Sequence, residues 1–245
     1  MYLKKEYRFY QFGESAYKKA YKLYQLAYFF WKGRKDRKKI KLLREYIKPG
    51  MTIVDIGANI GFYTTIFLKL VGEKGKVYAF EPDELNFQHL LANTATHKNA
   101  INNKTAVSDK SGKIRFYPCD INVDHQTYDN GEGRPFTEID CVSMDDFFNN
   151  GQPVDLLKTD TQGFDYFVIS GMKELVKKSK HFILITEFWP FGLNKAGTDP
   201  GEFIAQLKEM GFVLTFMDTR GEHEYRQLID DWSYYTDIIA IKKSV

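Results

Sequence analysis

The run Val54–Gly61 (VDIGANIG) closes a short apolar segment with a turn whose glycines allow close backbone approach to a ligand. Glu81 closes the next apolar segment, 24 residues after Gly57. A carboxylate at that place accepts hydrogen bonds from both ribose hydroxyls and repels a 2′-phosphate. The glycine spacing is close to a dinucleotide fingerprint, but Asn59 stands where a central glycine would admit a pyrophosphate. A nucleoside cofactor without a diphosphate therefore fits better than a nicotinamide dinucleotide. A tight turn followed by a solvated glutamate is the plainer alternative. Turn, following helix and Glu81 together favour the nucleoside site.

These residues need a scaffold, and the pattern supplies one. Thr52–Ile56 and Lys76–Phe80 read as strands buried on both faces. Lys104–Val107, Asp155–Thr159, Phe182–Thr186, Phe212–Met217 and Thr236–Ile241 read as later strands. Helices are expected at Phe62–Leu70, at Asp83–Thr96 with Asp83 as cap, at Phe164–Lys178, and at Pro200–Met210 with Asp199 as cap. Such alternation implies an α/β fold with a mainly parallel sheet between helices. Asp109–Phe148 interrupts it with a polar segment, in which Ser111-Gly112 resembles a hairpin turn; so long an irregular stretch is usually functional.

The motifs VDIGANIGFYT (Val54–Thr64), AFEP (Ala79–Pro82), AVSD (Ala106–Asp109), VSMDDFF (Val142–Phe148) and LKTDTQG (Leu157–Gly163) follow one another as in the FkbM-type S-adenosylmethionine-dependent methyltransferases, which the chain resembles over roughly residues 50–217. The resemblance implies a Rossmann-like class I methyltransferase fold, with helices on both faces and the last two strands forming an antiparallel edge. It implies S-adenosylmethionine as cofactor. Asp55, Gly57, Asn59 and Gly61 would lie at its methionine part, Glu81 at the ribose, and Ser108 and Asp109 near the adenine, with Ala58, Pro82 and Asp160 also at the cofactor. The implied reaction is methylation of a hydroxyl oxygen, often on a sugar of a glycan, glycolipid or other natural product. One departure is Gln162, where the family commonly carries a glutamate.

An alcohol is a poor nucleophile at neutral pH, so a base must take its proton as the new bond forms. Asp160, Glu187 and His125 are the candidates. If their strands are neighbours, Asp160 and Glu187 stand side by side, and such a pair could also hold a divalent cation. Lys158 would orient Asp160 or simply pair with it. Trp189 and Phe191 offer an apolar platform for a sugar face, or are core residues; Tyr128 and Arg134 are further acceptor candidates.

Charge divides the chain. Residues 1–48 carry fifteen Lys/Arg against four Asp/Glu, and the remainder twenty against 28, so a basic arm precedes an acidic body at residues 49–245. Tyr17, Tyr21, Tyr24, Tyr28 and Trp31 form one helical stripe in the arm, and Ile40, Leu43 and Ile47 suggest a second short helix. Such a stripe fits an anionic membrane interface, where each nearby Lys/Arg adds about 1 kcal/mol, or packing on the catalytic body. No run approaches the length of a membrane span, no secretory pattern opens the sequence, and Cys119 and Cys141 make neither a disulfide framework nor a thiolate metal cluster. A cytoplasmic setting is the expectation, with attachment to the inner membrane face, packing on the body and a dimer contact left as alternatives for the arm. The rival readings are a non-enzymatic membrane-binding protein and a methyltransferase acting on RNA or protein. The acidic body and the lack of an Asn/Asp-Pro-Pro-aromatic motif make nucleic acid a poor partner.

Overall fold

The computed structural model describes residues 17, 20–118, 126–129, 133 and 135–242. Strands β1 (Thr52–Ile56) and β2 (Lys76–Phe80) form where the apolar runs require, side by side and parallel. With β3 (Ala100–Asn103), β7 (Leu156–Thr159), β8 (Phe182–Phe188), β9 (Val213–Phe216) and β10 (Thr236–Lys242) they make one sheet of order β3-β2-β1-β7-β8-β10-β9. All neighbours from β3 to β8 run parallel, while β10 is antiparallel to both β8 and β9. The expected antiparallel edge is present, with the last strand inserted one place in from the border.

Alternation explains why these strands are apolar throughout. Val54 and Ile56 pack with Phe80, Leu157 and Leu184 on one face. Ile53 packs with Val77, Leu156 and Ile183 on the other. Helices α3 (Phe62–Val71) and α4 (Glu84–Thr94) follow β1 and β2. Asp83 caps α4 by accepting from the Asn86 N–H at 2.9 Å, as expected. Preceding them are α1 (Tyr21–Lys35) and α2 (Arg37–Tyr46). Leu43 of α2, with Ile47 just beyond it, is buried in the same core as Phe67 of α3.

Three expectations are corrected. The third strand of the main sheet is β3 rather than Lys104–Val107; only β4 (Ala106–Val107) forms there, and it belongs to a second sheet, β4-β6-β5. That sheet occupies much of the supposedly irregular segment: β6 (Thr137–Val142) lies between β4 and β5 (Gly112–Phe116). Ser111-Gly112 therefore does not close a hairpin of adjacent strands. Finally, the expected Phe164–Lys178 helix divides into α6 (Asp165–Ser170) and α7 (Lys173–Lys178), with α5 (Met144–Phe147) earlier in the chain. Gly171 sits at the break, where a Cβ would collide with the Ser108 carbonyl oxygen.

The aromatic stripe of the arm turns inward. The Tyr17 hydroxyl donates to Asn86 Oδ1 at 2.5 Å, Tyr21 stacks on His89 with ring centroids 3.3 Å apart, and Tyr28 meets Phe62 edge-on. The outward side of α1 instead carries Leu23, Leu26 and Phe30, each about two-thirds exposed at 69%, 69% and 66%. Among the described residues no helix is long and apolar enough to cross a membrane.

Candidate active site

Parallel strands deliver their carboxyl ends to one edge of the sheet, and a cleft opens there. At the end of β1 the chain turns through left-handed positions at Gly57 (φ 69°), Asn59 (φ 51°) and Gly61 (φ 85°). Asn59 tolerates this conformation better than most side chains do. At Gly57 a Cβ would run into the Asp160 carbonyl oxygen, so glycine is required by packing as well as by φ.

Every N–H of this turn has a partner inside the protein. Those of Gly57 and Ala58 donate to the Phe80 carbonyl at 3.1 and 3.0 Å, and that of Gly61 donates to the Ala58 carbonyl at 2.9 Å. The Ile60 N–H goes to Asn59 Oδ1 at 2.7 Å, and the Asn59 N–H to Glu81 Oε2 at 2.8 Å. Glu81 Oε1 accepts from the Asp83 N–H at 3.0 Å. Glu81 is thus buried and fixed from both sides. Burial pushes its pKa up to about 7, against the pull of the backbone N–H groups of Asp83 and Asn59.

The far end of the cleft is built from charges. Asp55 is fully buried behind the turn, accepts from the Thr64 hydroxyl at 2.6 Å and pairs with Lys158 at 3.3 Å. Lys158 also lies 3.6 Å from Asp160. Burial works against charge on both partners. Asp55 is left raised despite Lys158, whereas Asp55 and Asp160 outweigh burial at Lys158 and hold its ammonium charged. Burial would raise Asp160 too, but Lys158, Lys39 and Lys32 overcome it and hold the carboxyl below the ordinary range. Gln162, itself at φ 55°, adds a side-chain N–H donated to Asp160 at 3.3 Å. A glutamate there would place a second carboxylate beside Asp160, so glutamine favours the Asp160 anion.

Two of these cations come from the arm. Lys32 pairs with Asp36 at 3.2 Å, and Asp36 also accepts from the Tyr63 hydroxyl at 2.6 Å. Lys39 pairs with Asp237 of β10 at 2.7 Å. The register of β7 with β8 puts Asp160 and Glu187 next to each other, as the sequence suggested. Burial, then the neighbouring Asp160, Asp165 and Asp237, push the Glu187 pKa well above that of an ordinary carboxylate.

Of the residues singled out by sequence, Gly57, Ala58, Asn59, Glu81, Pro82, Lys158 and Asp160 line the cleft. Asp55 and Gly61 stand behind its wall, the latter against Leu90. Ser108, Asp109 and Glu187 do not line it; Glu187 stands beside Asp160 at the end of β8. The Ser108 hydroxyl donates to Asp109, and the adjacent Thr105, Ala106 and Val107 face the cavity instead. Tyr128 is buried with its hydroxyl donated to the Gln162 carbonyl at 2.8 Å, a structural rather than a cleft position. Trp189 donates its indole N–H to the Trp232 carbonyl at 3.0 Å and packs beside Phe191, outside the lining. His125, Arg134 and Cys119 lie outside the described residues. Sequence reasoning missed Tyr28 and Lys32 as cleft walls, although the 28, 32, 36 spacing places them along one face of the arm. It also missed Thr127 and Thr161, cleft residues whose buried hydroxyls have no hydrogen-bond partner among the described residues. Among those residues no cluster of three His, Cys, Asp or Glu side chains is disposed to hold a metal ion, so nothing supports the divalent cation.

Residues 55–214 match the family described as the methyltransferase FkbM domain. The chain is similar to 2-O-methyltransferase NoeI of Sinorhizobium fredii, 27% identical over 178 residues that span 63% of this chain and 72% of that protein. A shorter likeness, 28% over 81 residues and a third of each chain, links it to a protein-L-isoaspartate O-methyltransferase of Triticum aestivum. Among solved structures, one described as an rRNA-methylase from Clostridium thermocellum superposes with a TM-score of 0.52 at 13% identity, covering 84% of this chain and 95% of that one. That last likeness is one of fold.

Proposed function

The chain belongs to the family defined by the FkbM methyltransferase domain, and from that membership we propose that it transfers a methyl group from S-adenosylmethionine to a hydroxyl oxygen of a sugar. The cleft fits such a cofactor on its own terms. Glu81 offers the remaining lone pairs of a fixed, buried carboxylate to two ribose hydroxyls, and this observation carries the reading. Pro82, Ala106, Val107 and Phe116 supply apolar walls for a base, and the hydroxyls of Thr127 and Thr161, without a partner among the described residues, supply polar points within them. Asp160, held ionised, suits an ammonium or sulfonium.

When bound, the cofactor supplies an electrophilic methyl carbon on a sulfonium. The chain's own work is alignment and proton removal. Asp160 and Glu187 divide those tasks by environment. A carboxylate held low by lysines stays charged and accepts protons poorly, so Asp160 serves positioning. Glu187, pushed up by burial and by neighbouring carboxylates, has the affinity for a proton that a general base needs. As the oxygen–carbon bond formed and the sulfonium–carbon bond broke, the acceptor's hydroxyl proton would pass to Glu187, which stands beside Asp160 though it does not itself line the cleft.

The sugar assignment draws on the 2-O-methyltransferase relative and on the family resemblance. Incubating cell-extract fractions with methyl-labelled cofactor tests it. Label in saccharide, free or lipid-linked, is expected; label confined to RNA or protein would overturn the acceptor class. A membrane location for the acceptor is supported by the exposed stripe Leu23, Leu26 and Phe30, with the Arg34 guanidinium 5.1 Å from the Phe30 ring in an arm rich in lysine and arginine. Co-sedimentation with phosphatidylglycerol vesicles should be lost on Leu26→Ser with Phe30→Ser, and at high salt; sedimentation unaffected by both would end that reading.

A further inference from the structure

A methionine tail carries an α-ammonium and an α-carboxylate, so a site that holds it needs an anion and a cation together. Asp160 provides the anion at the end of the cleft away from Glu81. Glycine turns after a first strand commonly offer backbone N–H groups to an anion. Here that source is spent, because the five N–H groups from Gly57 to Gly61 all donate within the protein. Among the described residues two lysines line the cleft, Lys32 and Lys158. Lys158 lies between Asp55 and Asp160 with its side chain only 5% exposed, so a carboxylate placed against it would also face both acids. Lys32 pairs with Asp36, whose Oδ2 is shared with the Tyr63 hydroxyl. An ammonium has three N–H donors, and its side chain keeps 22% exposure beside the cleft. The first turn of α3, with Phe62 and Tyr63 in the lining, adds positive potential at this same end.

We propose that Lys32, from the N-terminal helix α1, holds the α-carboxylate of the cofactor's methionine moiety, with Asp160 taking its α-ammonium. The inference rests on the cofactor assignment above and extends it to a residue outside the matched span 55–214. The arm thereby becomes a wall of the cofactor site, and Lys32 decides whether the ligand's acid group is recognised.

Equilibrium binding of S-adenosylmethionine and of its decarboxylated analogue to the full chain tests this. The analogue keeps the nucleoside, sulfonium and amine and lacks only the carboxylate. Wild-type protein should favour the carboxylated compound by roughly ten- to hundredfold, the scale of a charge-assisted hydrogen bond. Lys32→Met should weaken that compound about tenfold or more while leaving the analogue within about twofold, and Lys32→Arg should restore part of the preference. Retained analogue binding and an unchanged melting temperature would show that the variant is folded. Equal weakening of both ligands, an unchanged ratio, or no preference in the wild type would each overturn the role of Lys32. Failure of the wild type to bind either compound would instead bring down the cofactor reading itself.

Discussion

At one end of the cleft the carboxylate of Glu81 is fixed by backbone N–H groups and surrounded by apolar walls. At the other end Asp160 stands among Lys32, Lys39 and Lys158, and those lysines in turn face Asp36, Asp237 and Asp55. Burial acts on both acids in the same direction and yet their acidities part. Glu81 is raised because dipoles alone oppose desolvation, whereas Asp160 is lowered because full charges do. Glu81 is therefore poised to change its protonation near neutrality, whereas Asp160 is held charged.

The largest effect expected from breaking this contrast is on folding. Lys158→Met strips the cation from buried Asp55 and from Asp160, and should destabilise the protein by about 3–5 kcal/mol in denaturant unfolding. A change below about 1 kcal/mol would mean the charged end is not held as a unit. Next is Glu187→Gln, expected to lower kcat about a hundredfold or more with cofactor affinity little changed. In the wild type, kcat should rise with pH as Glu187 ionises, and that limb should vanish in the variant; persistence of the limb would assign the proton to another group. Glu81→Gln comes third, weakening S-adenosylhomocysteine roughly tenfold by calorimetry through loss of charged acceptance.

The smallest and sharpest test uses pH alone. Because Glu81 is pushed up to about 7, ligand affinity should grow as pH rises through that value, since ribose hydroxyls donate best to the charged form. In the ligand-free protein the sign is opposite. The folded state holds the Glu81 proton more tightly than the unfolded chain, so this group favours folding most below its ordinary pKa and loses that contribution as pH climbs to about 7. Affinity flat between about pH 6 and about pH 8, in protein whose Glu81→Gln variant is equally flat, would remove Glu81 from ligand contact.

The same contrast explains what could be read from the amino-acid order. The Glu81 end is made from two contiguous segments, 54–61 and 79–82, each closing a strand whose run of buried side chains is unmistakable. The charged end gathers residues from 32–39, 55, 63, 158–160, 187 and 237, and only folding brings them together. Asp160 and Glu187 were legible as strand ends. Lys32 was not, because a lysine in a basic arm looks like any other until α1 packs on the domain. Strand β3 escaped for a different reason. AINN offers two apolar residues and is half-buried throughout, whereas the Ala106–Val107 pair is fully buried but belongs to the smaller sheet. Ser108 and Asp109 miss the cleft by the same local shift, with their neighbours Ala106 and Val107 taking the lining positions.

Helix α1 turns Tyr28 and Lys32 towards the cavity and Leu23, Leu26 and Phe30 towards solvent. Were that outward face to seat on an external surface, one helix would take part in two equilibria and reciprocity would bind them: whatever factor the surface lent to cavity affinity, a ligand in the cavity would return to adhesion at that surface. Exchange of the α1 amides with deuterium should slow when the cavity is filled, a signature that a helix serving only the outer surface would lack.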